Sequence, residues 1–134
     1  MKKLLKITSV AILCCILVAT FATSAFAVGT GSIMPRYSNV TNPSVTIDAA
    51  NGQVTGVVTK NTGVTTVSGQ LDLYVQTTSG WSLVNTWTGS TTRRTLSVTG
   101  SFTSVKGSTY KATFKITAVG STTEVVTVEA TQTY

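Results

Sequence analysis

The chain has 134 residues, ten Lys or Arg against four Asp or Glu, no His, and a formal net charge of +6 at pH 7. Without His there is no Ser-His-Asp or Cys-His nucleophile pair and no imidazole zinc site. Beyond the first ten residues only Arg93-Arg94 forms a local basic pair, so the Lys/Arg stripe of a nucleic-acid binder is missing and no nucleic-acid partner is expected.

Lys2, Lys3 and Lys6 precede the apolar run Val10 to Ala19, and Ala25-Phe26-Ala27 places small residues at the two positions a signal peptidase reads. This pattern predicts a secretory signal peptide over residues 1–27, with Ala25 and Ala27 as its cleavage determinants. A membrane-spanning helix needs roughly 20 apolar residues; the run is about half that and no basic stop-transfer cluster follows, so no membrane anchor is expected after cleavage. Cys14 and Cys15 both lie inside the run. Leu13 precedes Cys14 and a cysteine precedes Cys15, where a lipid-modified cysteine follows a small residue, so both read as apolar packing. The expected product is secreted, extracellular and at most loosely associated with the cell surface. It has no thiol, hence no disulfide. Three of the ten basic residues leave with the leader, so seven remain against four acids, a net charge of +3.

Residues 28–43 carry no strand pattern and read as an extended N-terminal arm. It is either an ordered lead-in to the first strand or an arm that pairs with the sheet edge of a neighbouring molecule. From residue 44 to 134 apolar and polar residues alternate between Gly and Asn turns. Val45–Ala49 is the first predicted strand, and Asn51-Gly52 a hairpin signal because both residues tolerate positive φ. Gln53–Thr59 and Thr66–Gln76 follow, the latter with Val67, Leu71, Leu73 and Val75 on one face. Ser79-Gly80 turns the chain into Trp81–Thr88. Arg94–Thr103 puts Leu96, Val98 and Phe102 inward, Thr109–Val119 alternates from Tyr110 to Ala118, and Thr123–Thr131 is the last. Threonine supplies 25 of the 107 residues from Val28 onward, a β-branched excess that suits pleated strands. The spacing predicts an all-β fold: a seven-stranded immunoglobulin/fibronectin-type-III-like antiparallel sandwich.

Gly107, followed by Tyr110 at the opening of the penultimate strand, has the pattern of a tyrosine corner, in which the phenol bonds back to the backbone. The alternative is that Tyr110 is an ordinary core aromatic.

Trp81 and Trp87 have the same parity on one strand and so are expected to share a face. A three-residue hairpin loop would send both into the core. A loop of two or four residues slips the register by one and lines them up with Tyr74 and Gln76 outside. Tyr74, Trp81 and Trp87 would then form a candidate binding surface for sugar stacking or protein docking; the inward arrangement is the more expected of the two. The four acids do not gather into an evident acid/base pair, and Glu124 and Glu129 have opposite parity. No catalytic residue, metal ligand set or cofactor motif emerges, and the chain is read as a non-enzyme.

Pro35-Arg36-Tyr37-Ser38, the pair Trp81 and Trp87 around Val84, and Lys106-Gly107 ahead of Tyr110 resemble a family of small secreted proteins of Gram-positive, clostridia-type bacteria, catalogued as a domain of unknown function. The resemblance covers most of the chain after the leader, implies a secreted sandwich, and brings no established catalytic residues. Two functions fit these features. One is a non-catalytic secreted or cell-surface-associated module that binds extracellular protein or cell-wall glycan, or self-associates. The other is a secreted bacteriocin-like or toxin-like effector acting on other cells.

Overall fold

A computed structural model describes residues 36–134. The predicted leader, its cleavage residues Ala25 and Ala27, and most of the arm lie outside the described residues. The described part is all-β, two antiparallel sheets facing each other. Its strands are β1 (Val40–Asp48), β2 (Gln53–Lys60), β3 (Thr66–Thr77), β4 (Gly80–Thr91), β5 (Thr95–Ser101), β6 (Thr109–Val119) and β7 (Thr123–Thr133). One sheet has the order β1-β2-β5 and the other β4-β3-β6-β7.

The period-2 alternation of the sequence becomes the inner and outer faces of these sheets. Val54 and Val58 of β2, Leu71 and Leu73 of β3, and Ala112, Phe114, Ile116 and Ala118 of β6 are buried, as are Leu96 and Val98 of β5 and Val126 of β7. Phe114 fills the centre, at 0% exposure. It fits because it faces glycine in both sheets: a Cβ at Gly56 or at Gly69 would stand within 2.6 Å of the Phe114 ring. Glycine weakens a strand interior unless something large approaches closely there, and the Phe114 ring is what approaches.

The first hairpin differs from the sequence expectation in two ways, while the other strand ends shift by no more than three residues. β1 spans Val40–Asp48 rather than Val45–Ala49, with a register break between Thr41 and Ser44 that accommodates Asn42 at φ 50° and Pro43. The described residues just before it, Tyr37 to Asn39, are tied to the domain. Tyr37 packs on the core, the Ser38 and Asn39 N–H groups donate to the Glu124 carboxylate at 3.0 and 2.7 Å, and Asn39 Nδ2 donates to the Thr122 carbonyl. The β1–β2 connection is also longer than a two-residue Asn-Gly turn. Asp48 pairs with Gln53, so Ala49 to Gly52 form the loop and only Gly52, at φ 62°, takes the left-handed conformation. Ala49 is drawn inward, fully buried, and its N–H donates to Gln132 Oε1.

At Gly107 (φ 81°) the chain turns into β6, and the buried Tyr110 phenol accepts a hydrogen bond from the Val105 N–H at 2.8 Å. The Tyr110 ring also lies against Phe102, centroids 5.0 Å apart. These contacts fix the crossing from the three-stranded sheet to β6.

Candidate functional site

The placement of the aromatic residues follows from two local features of the β3–β4 hairpin. The first is its loop. Thr77 pairs with Gly80, so Thr78 and Ser79 alone make the turn, Trp81 falls opposite Gln76, and its side chain joins the outer face of the four-stranded sheet. The second is a bulge. Tyr74 pairs with Leu83 but Leu73 pairs with Asn85, which leaves Val84 as an extra residue on β4. An extra residue reverses the parity of everything beyond it. Trp87 therefore falls opposite Leu71, which is fully buried, and turns inward.

The expectation that Trp81 and Trp87 share a face is thus corrected: the Val84 bulge separates them. Trp87 is half-buried and packs on the core, where its indole covers Gly100 of β5 so closely that a methyl group there would overlap the ring. It closes the rim between β4 and β5 and has no place in an outer aromatic strip. Trp81 is 41% exposed and Leu83 54%. Every residue from Gln76 to Thr86 is exposed, including Ser82 and Asn85, whose pairing places them on the inner side. The tip of the hairpin projects past the three-stranded sheet.

Lys111 completes the outer cluster. It pairs with Tyr74 across the β3–β6 ladder, and its Nζ lies 5.4 Å from the Tyr74 ring centroid and 4.8 Å from that of Trp81. Both distances are within cation–π range. The ammonium thus bridges two rings from neighbouring strands and fixes their relative position while leaving Trp81 accessible. No sequence feature singled out Lys111; its spacing from Tyr74 becomes visible only once the β3–β6 register is known.

The outer face continues away from the hairpin as rows of polar side chains. Asp72 accepts hydrogen bonds from Gln70 Nε2 at 2.9 Å and from Thr86 Oγ1 at 2.6 Å, and Glu129 accepts from Thr113. Beyond them lies a shallow depression of about 540 Å³ whose lining includes Ser68, Gln70, Thr88, Ser90, Lys115 and Thr117. At the β1–β2 turn Asp48 receives both the side-chain amide and the N–H of Asn51, at 2.7 and 3.1 Å, and these bonds hold its carboxyl below the ordinary aspartate value. With Glu124 bound to the Ser38–Asn39 backbone, each of the four carboxylates accepts hydrogen bonds from neighbouring groups; Asp72 and Glu129 stand in one row of the outer face on either side of Thr113, whereas Asp48 and Glu124 lie elsewhere. Among the described residues no group of three or more acidic side chains comes together in a way that would hold a metal ion.

No family model, curated protein or solved structure matches this chain.

Proposed function

We propose that this chain is a non-catalytic, secreted or cell-surface-associated binding module that engages a glycan or protein through the outer-face cluster of Tyr74, Trp81, Leu83 and Lys111. The observation that carries the reading is the position of Trp81. It is exposed, has the Lys111 ammonium 4.8 Å from its ring, and is set at the exposed end of the β3–β4 hairpin. A large aromatic surface held in place loses little entropy on binding and offers a flat apolar face with a polar edge. The threonine- and serine-rich rows that follow along β3 and β4 supply hydroxyls suited to an extended polar ligand.

The strand order β1-β2-β5 against β4-β3-β6-β7, together with the Tyr110 hydrogen bond at the entry to β6, supports a fibronectin-type-III-like assignment within the immunoglobulin-like sandwiches. Such a frame presents loops and hairpin ends rather than a cleft. The non-catalytic reading rests on the missing His and Cys from residue 36 onward and on the structural engagement of all four carboxylates. Export rests on the tripartite pattern of residues 1–27.

The test is retention on insoluble cell-wall material and on a glycan array. Wild type should be retained, Trp81→Ala and Lys111→Ala should lose most of the retention, and Trp87→Phe should keep it. Equal retention of wild type and Trp81→Ala would remove the aromatic cluster from the account.

A further inference from the structure

We infer that the chain self-associates through the free edge of β4, which pairs antiparallel with β4 of a second copy about a two-fold axis. The two sheets have four edges, β1, β5, β4 and β7, and soluble proteins blunt such edges with charge, proline, shortness or bulges. β1 carries Pro43 and a break in register, β5 is only seven residues long, and β7 contains Glu124 and Glu129. β4 is different. It runs twelve residues, Gly80–Thr91, with no charged residue and no proline, and its one protective device is the Val84 bulge.

The bulge also shows which way the edge amides point. Thr86 N–H is taken by the side-chain oxygen of its neighbour Asn85, at 2.9 Å, rather than by β3. Inward and outward amides alternate along an antiparallel strand, so Thr88 and Ser90 present their N–H and C=O groups to the open edge in the same direction. The blunting ends at Thr86, and the Trp87–Thr91 segment remains open.

The partner that fits is a second β4. Arg93 and Arg94 follow the strand after the single residue Thr92, so a parallel copy would set two arginine pairs side by side. Antiparallel pairing about a two-fold puts them at opposite ends. With the axis at Gly89, Thr88 of each copy exchanges hydrogen bonds with Ser90 of the other, and the two glycines face each other where two backbones come closest. The result is an eight-stranded sheet, four strands from each copy, with both Trp81 clusters on one face. The contact is isologous and closed, so it stops at a dimer. It does not depend on the aromatic cluster being a binding surface, since Trp81 keeps its outer face exposed in either state.

Sedimentation of the full chain over a wide concentration range, with hydrogen–deuterium exchange at both extremes, tests this. The dimer should appear as concentration rises, with added protection at Thr88 and Ser90. Thr88→Pro removes one outward amide without touching the β3 ladder, and should weaken association by roughly tenfold or more while the unfolding midpoint stays near wild type. Deleting Val84 straightens the edge and should strengthen association, a readout that survives if the proline variant folds poorly. Trp81→Ala should associate like wild type. A chain that stays monomeric throughout, or that gains protection on β1, β5 or β7 instead, would overturn the inference.

Discussion

Trp81 and Trp87 are separated by six positions and by two different fates. Trp87 lies against Gly100 and opposite Leu71 at the β4–β5 rim; Trp81 is exposed on the outer face with the Lys111 ammonium over its ring. Truncation should separate them in denaturant unfolding. Trp87→Ala should cost about 2–3 kcal/mol, below the range for fully buried aromatics because the ring is only partly buried. Trp81→Ala should cost no more than about 1 kcal/mol, the scale of an exposed cation–π contact. Asp48 gives a residue-scale prediction in pH. Its carboxyl is held below the ordinary aspartate value by the Asn51 side chain and N–H, so it binds its proton more weakly in the folded than in the unfolded chain. The stability it contributes is complete above the ordinary aspartate value and is lost as pH falls through the depressed folded value. Asp48→Asn should therefore flatten the acid limb of the stability–pH curve, measured by chemical denaturation between neutral pH and about pH 2; an unchanged limb would mean that the turn does not hold the carboxylate.

At the scale of elements, the core strands were legible because their alternation is uninterrupted. Thr109–Val119 spans the same residues in sequence and structure, and Val67, Leu71 and Leu73 of β3 are buried on the face their parity assigns. The candidate site was only partly legible. Tyr74 and Trp81 are both outer-face residues, but parity counting carried Trp87 with them because a bulge leaves no reliable mark on composition. The doublet Leu83-Val84 does break the alternation of its neighbours, but two adjacent apolar residues do not by themselves mark one as extra; that is defined by what β3 places opposite. β1 was likewise read too short because Asn42 and Pro43 look like loop chemistry, although here they sit in a bulge on an edge strand. The glycines opposite Phe114 were not interpretable without the partner sheet. They give an element-scale prediction: Gly69→Ala places a methyl group against both the Phe114 ring and Leu96. Overpacking of this kind should cost about 1–3 kcal/mol and be relieved by Phe114→Leu in a double-mutant cycle. Additive losses would show that the ring does not depend on the glycine.

For the molecule as a whole, the sandwich uses its inner faces for stability and leaves one outer face and one edge available. The described residues carry a net charge of +3, spread over both sheets and the loops, so long-range attraction contributes little, and the proposed function assigns recognition to the local cluster around Trp81. Single-tryptophan variants test this division most directly. With Trp87→Phe, the remaining Trp81 should emit at long wavelength, be readily quenched by acrylamide, and become protected when insoluble cell-wall material or a glycan found on the array is added. With Trp81→Phe, the remaining Trp87 should emit at shorter wavelength, resist quenching, and stay unchanged on the same addition. Equal quenching of both tryptophans in the free protein would contradict the division of faces at the Val84 bulge, and a Trp81 signal indifferent to every ligand would contradict the binding surface.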